Sequence, residues 1–149
     1  MASFNTAIKS FTLVELIIVI IIVGILASLG LTQYNLMVEK SRTVEAKVRI
    51  GTMRTFAYQY YLEHGTLEGM VNADVGVDNT CTSVDLYRYY VSNYTTYAAL
   101  AAARCTSGGK APNTTRLYYF FLLFYPGVGQ SEWHCHYSDD SSACFGLPA

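Results

Sequence analysis

From Phe11 to Leu31 the chain is almost unbroken hydrocarbon: Phe-Thr-Leu-Val-Glu-Leu, then Ile-Ile-Val-Ile-Ile-Ile-Val-Gly-Ile-Leu-Ala-Ser-Leu-Gly-Leu. Taken as a helix at about 1.5 Å per residue, this stretch reaches about 31 Å, close to the hydrocarbon thickness of a bilayer. From Leu16 onward only Ser28 and two glycines interrupt the aliphatic side chains. The segment therefore lacks the polar stripe of a soluble amphipathic helix and is predicted to cross a membrane.

Past Leu31 the pattern changes from uniform to periodic. Ala46, Ile50, Met53, Ala57 and Tyr60 recur at spacings of four and three, which puts them on one face of a helix running on to about Glu63. Glu45 and Arg49, four apart, and Glu39 and Arg42, three apart, are expected to form ion pairs on the exposed flank. Gly65 is placed to take the left-handed conformation that ends a helix. From Phe11 to Glu63 a continuous helix would be about 80 Å long, too long to bury itself in one small domain.

The remainder mixes short elements. Residues 66–82 read as a connection, and Thr82-Ser83-Val84-Asp85 is expected to cap one short helical turn through Thr82 or Ser83. Between Tyr94 and Arg104 the signals conflict, because Ala98 to Ala103 favour helix while Thr95-Thr96-Tyr97 favours strand. Thr106 to Asn113, with Gly108-Gly109 and Pro112, is a turn-forming loop. Leu117 to Tyr125 is the strongest strand pattern, nine residues stopped by Pro126-Gly127. Both of its alternating faces are apolar, so it is expected to be central, covered by the helix on one side and by loops or a neighbour on the other. Glu132 to Tyr137 supplies a last strand antiparallel to it.

Glu15 is the anomaly in the apolar run, since a carboxylate at membrane depth costs at least about 2.5 kcal/mol and marks a function with a partner. With its neighbours Lys9-Ser10-Phe11-Thr12-Leu13-Val14-Glu15-Leu16 it resembles the processing and assembly signature of type IV prepilins and the related pseudopilins. Tyr58-Gln59-Tyr60-Tyr61-Leu62-Glu63-His64-Gly65 likewise resembles the end of the pilin helix, where a Tyr-Tyr-x-Glu-x-Gly pattern is frequent. The likeness covers residues 9 to about 65, and the rest in layout.

The resemblance implies that residues 1–10 are a leader clipped between Ser10 and Phe11 by a membrane-embedded prepilin peptidase. It implies N-methylation of Phe11 and a role for Glu15 in filament assembly. The physics agrees: the freed amine of one subunit can neutralise the carboxylate of a neighbour, and such a pair gives register more than stability. The sequence departs from the family in two places. Ser10 stands where a Gly is usual before the cut, and Thr32 stands where many relatives have a kinking Pro, so the helix is not forced to bend there. A generic anchor or an uncleaved signal peptide is the plainer alternative, but it does not account for a carboxylate inside the apolar block.

The implied fold is α+β and pilin-like: a long N-terminal helix over residues 11–65, with 11–31 as transmembrane or filament-core segment, packed on a small antiparallel sheet in a head of residues 66–149 with a C-terminal disulfide loop. Family layout also tips residues 94–104 towards a strand. Four cysteines, Cys81, Cys105, Cys135 and Cys144, lie beyond the membrane segment. An even count in a small exported domain reads as disulfides, with three connectivities open. Short local loops favour Cys81 with Cys105 and Cys135 with Cys144, and the second resembles the C-terminal loop of many type IV pilins.

Charge and composition narrow the function. Of 149 residues 14% are charged, and the chain has 13 tyrosines and seven phenylalanines, which suits a protein that buries much of its surface in neighbours. Loss of Lys9 with the leader leaves nine basic against eleven acidic side chains, a formal charge of −2. No broad nucleic-acid surface is implied. His134-Cys135-His136 with Glu132, Asp139 and Asp140 is poor evidence for a metal, because Cys135 is expected in a disulfide and no ordered ligand loop is visible. Asn93-Tyr94-Thr95 and Asn113-Thr114-Thr115 match a glycosylation pattern that is common by chance. No triad spacing, phosphate-cradling glycine loop or Cys-x-x-Cys pair supports an enzyme, and no cofactor is expected.

What the resemblance implies is a structural subunit of a helical filament used for adhesion, motility or related surface functions. Its partners are other copies of itself, prepilin peptidase, and an inner-membrane assembly platform with its motor. The location is the inner membrane before assembly and the cell surface afterwards. The alternatives are a type II secretion pseudopilin in a short periplasmic pseudopilus, and a minor pilin.

Overall fold

The computed structural model describes residues 11–114, 117–137 and 144. The expected leader and its Ser10 fall outside these residues, as do Asp139 and Asp140 and the C-terminal loop other than Cys144. The chain divides into two compact units, residues 1–39 and 40–149, and one helix, α1 (Leu13–His64), supplies backbone to both.

In the first unit α1 is helical from Leu13 onward and continues through Gly30 to Tyr34 without interruption. Its aliphatic side chains lie open on every side, and the most apolar window holds no buried residue. The absence of a proline at position 32 is consistent with the unbroken backbone.

In the second unit α1 turns a single stripe inward. Ala46, Ile50, Met53 and Ala57 are fully buried and Thr43 nearly so. The helix ends where Gly65 adopts φ of 73° and donates its N–H to the Tyr61 carbonyl at 2.8 Å. The His64 ring stacks on Tyr60 with centroids 4.1 Å apart. The guanidinium of Arg49 donates to the Gly76 carbonyl at 2.7 Å, and among the described residues it does not form the expected pair with Glu45.

The stripe packs on one face of a four-stranded antiparallel sheet ordered β1 (Tyr87–Asn93), β2 (Ala98–Arg104), β3 (Tyr118–Tyr125), β4 (Gln130–Tyr137). The alternation of β3 settles its inward face: Tyr118, Phe120, Leu122 and Phe124 are buried, while Tyr119, Phe121, Leu123 and Tyr125 are half-buried on the other side. β3 is an inner strand, and β4 begins at Gln130, two residues ahead of the expected start. β2 resolves the helix–strand conflict as a strand. Its register sets Ala102 between Tyr89 and Phe120, and Ala101 between Tyr90 and Phe121, so alanine leaves room for the rings of both neighbours.

Two further features differ from expectation. β1 is a full seven-residue strand that the pattern did not predict. Thr82 to Asp85 forms a tight turn instead of a helical one, closed by the Asp85 N–H on the Thr82 carbonyl at 3.0 Å, with the Asp85 carboxylate accepting from both the amide and the hydroxyl of Thr82. The connecting segment then lies along the open edge of β1. Asn72 accepts from the Val91 N–H at 2.8 Å, the Asp78 carbonyl accepts from the Tyr89 N–H at 3.4 Å, and Asn93 donates to the Leu67 carbonyl at 3.1 Å. An edge strand covered in this way no longer offers its backbone for unwanted pairing.

Candidate functional site

The N-terminal end of α1 is built as a reciprocal cap. Thr12 donates from its backbone N–H to the Glu15 carboxylate at 2.9 Å and from its hydroxyl at 2.7 Å. The Glu15 N–H in turn approaches the Thr12 hydroxyl oxygen at 3.3 Å. This is the capping box, in which the third helical residue reaches back to the residue before the helix. The sequence carries its signal in Thr12-Leu13-Val14-Glu15, a threonine followed three residues later by a glutamate. Both contacts fall on Oε2, so among the described residues Oε1 of Glu15 stays free for a donor from outside. The carboxylate is thus oriented by its own helix through one of its two oxygens.

Around it the surface is apolar. Phe11 is 80% exposed, and Leu13, Val14, Leu16 and the isoleucines beyond are open as well. Ser28 turns its hydroxyl back to the Ile25 carbonyl at 2.8 Å, so its one donor is satisfied within the helix. A helix with one carboxylate and no polar stripe has little to gain from water and is suited to lipid or to other helices of the same kind.

The remaining sequence candidates belong to the second unit. Disulfides join Cys81 to Cys105 and Cys135 to Cys144. His134 and His136 stand on the outward face of β4 with their rings stacked on Phe121 and Tyr119, at centroid distances of 5.3 and 4.9 Å. Glu132 approaches His134 at 3.7 Å. Among the described residues no group of three or more His, Cys, Asp or Glu side chains converges to hold a metal. The side-chain nitrogen of Asn93, half of one glycosylation pattern, is engaged on the Leu67 carbonyl.

A second surface feature went unread in the sequence. Between α1 and the connecting segment lies an open groove of about 700 Å³, walled by Val44, Val48 and Val77, floored by Tyr87 and Tyr89, with Glu45, Asp78 and Asp85 at its rim. Burial, reinforced by the negative charge of Glu45, pushes the Tyr89 phenol well above its ordinary range.

No family model matches the chain, and no solved structure resembles it significantly. Among curated proteins it is 35% identical to a fimbrial protein of Neisseria meningitidis serogroup B over 103 residues, 69% of this chain and 58% of the relative. It is 34% identical to a type IV major pilin protein, PilE1, of Neisseria gonorrhoeae over 105 residues, 70% and 47% of the two chains. It is 33% identical to the fimbrial protein EcpC of Eikenella corrodens over 100 residues, 67% and 65%. The chain spans about half the length of the curated relatives it matches.

Proposed function

We propose that this chain, which belongs to the type IV pilin family, is the structural subunit of a helical surface filament assembled through α1. The observation that carries the reading is the uncovered apolar surface of residues 11–31, whose one charged side chain is the capped carboxylate of Glu15. Among the described residues nothing buries that surface, and copies of the same helix are its natural cover.

In this reading residues 1–10 are removed as a leader by prepilin peptidase between Ser10 and Phe11, and Phe11 is methylated. The remaining chain divides into the helix of residues 11–65 and a head of residues 66–149. The mature subunit sits in the inner membrane, then moves sideways into a growing fibre at an assembly platform. The Thr12 cap holds Glu15 in one rotamer, and its free oxygen receives the Phe11 amine of a neighbour. Burial out of water is worth about 25 cal/mol per Å². Relative to lipid the gain is smaller, so an assembly motor supplies the rest. The role is structural and needs no catalytic residue.

The names of the relatives, fimbrial proteins and major pilins, favour a surface fibre over a secretion pseudopilus or a minor subunit. Shearing cells that express the chain and blotting the fibre fraction tests the reading. The chain is expected in fibres, and its confinement to the membrane would contradict a filament role.

A further inference from the structure

The groove beside α1 mixes exposed valines with charged and threonine side chains. Val44 and Val48, 59% and 66% exposed, form its outer wall, and three carboxylates, Glu45, Asp78 and Asp85, face the single guanidinium of Arg49 around it. Two of these charges are already occupied: Arg49 donates to the Gly76 carbonyl and Asp85 holds the Thr82 turn. Among the described residues no hydrogen bond or ion pair engages the carboxylates of Glu45 and Asp78.

The other flank of the same helix carries the opposite charge. Lys40, Lys47 and Arg54 follow one another at intervals of seven, about two turns, and so lie in one line along α1. The Arg54 guanidinium sits over the Phe124 ring at 5.4 Å, which places this line on the β3 side. The Arg49 contact with Gly76 places the groove on the side of the connecting segment. The acidic groove and the basic line therefore flank α1 on opposite sides within one head.

We propose that the groove receives the Lys47–Arg54 flank of a second copy of this chain. The long stems of lysine and arginine lay hydrocarbon over the exposed valines, and their charged ends reach Glu45 and Asp78. Because donor and acceptor surfaces are different patches of one molecule, the contact is heterologous. Each copy that docks leaves a fresh groove or a fresh basic flank, so the contact propagates instead of closing into a dimer. The inference rests on the filament reading and names the head-to-head contact that would accompany helix packing.

Charge reversal in the full chain tests it. One variant carries Glu45→Lys with Asp78→Lys, a second carries Lys47→Glu with Arg54→Glu, and a third carries all four. Fibre yield after shearing is compared with the amount of chain in the membrane. Each two-site variant should lose at least about tenfold of its fibre yield, because like charges then face each other across the contact. The four-site variant, with both surfaces reversed, should regain yield to within about twofold of the parent for the same reason. Two-site variants that assemble like the parent, or a four-site variant that stays in the membrane without fibres, would overturn the contact. A parent chain that makes no fibre fails the filament reading itself, which keeps the two failures apart.

Discussion

The hydroxyls of Tyr87 and Tyr118 lie 2.9 Å apart in the buried interior, linking β1 to β3 across the intervening β2. Their rings meet edge to face at 6.3 Å and 65°. A tyrosine is tolerated so deep only when its hydroxyl has a partner. Tyr118→Phe keeps the ring and removes that link, so it should cost about 1 kcal/mol without altering the fold. Urea unfolding of the purified chain in detergent, followed by near-ultraviolet circular dichroism, measures the difference.

The two stripes of α1 in the second unit should respond differently to truncation. Ile50 is fully buried against the sheet, and Ile50→Ala should destabilise by about 2–5 kcal/mol through lost burial and the cavity left behind. Val48 is open, and Val48→Ala should change stability by no more than about 0.5 kcal/mol. The same unfolding assay separates them, and equal effects would contradict the assignment of faces.

Gly109 lies against the Cys81–Cys105 disulfide so closely that a Cβ there would come 2.6 Å from the Cys105 Cβ and 2.9 Å from the Asp85 carbonyl oxygen. The second of these is backbone and cannot turn aside. Gly109→Ala should therefore cost about 1–3 kcal/mol as overpacking. Replacing both Cys81 and Cys105 by Ser opens a loop of sequence separation 24 and should cost about 3 kcal/mol. Thermal unfolding of the two variants beside the parent gives both figures.

Burial raises the phenol pKa of Tyr89, with Glu45 adding to the shift, and burial likewise raises that of Tyr90, with Tyr119 adding to it. The folded chain then keeps protons that the unfolded chain releases. The stabilisation is complete below about pH 10, the ordinary tyrosine value, and is lost as pH rises towards the folded value. The melting temperature should fall with rising alkalinity, and Tyr89→Phe should make that fall shallower. An identical slope in the variant would show that Tyr89 does not contribute.

Glu15→Ala removes both the acceptor of the Thr12 cap and the only carboxylate of the apolar run. Loss of such a cap costs about 1 kcal/mol at the helix end, while loss of a buried charge eases insertion into lipid. The variant should reach the membrane at parental levels and yield few fibres. Normal fibres from Glu15→Ala would remove Glu15 from assembly.

The parts of this fold that could be read from sequence are those where one period dominates. The residues at 46, 50, 53 and 57 repeat at helical spacing, and the aromatic run from Leu117 to Tyr125, stopped by Pro126-Gly127, becomes β3 from Tyr118 onward. β1 was missed because Tyr87, Arg88, Tyr89 and Tyr90 put tyrosine on both faces and a charge between, so no alternation shows. Its place depends on Asn72 and Asn93, which hold the connecting segment on its edge from 19 and 26 residues away. The turn at Thr82 went the same way, since Asp85 was free to close it from the far end as well as Thr82 from the near one. The groove was invisible for a related reason: Val44 and Val48 read as unremarkable surface until Gly76 to Asp78 is folded beside them.

The central claim, a processed subunit drawn into a fibre through its N-terminal helix, is met most directly by the intact mass of the chain recovered from sheared fibres. The account predicts a chain that begins at methylated Phe11, lacks residues 1–10 and carries two disulfides. A chain found only in the membrane fraction, with Met1 to Ser10 still attached, would contradict it.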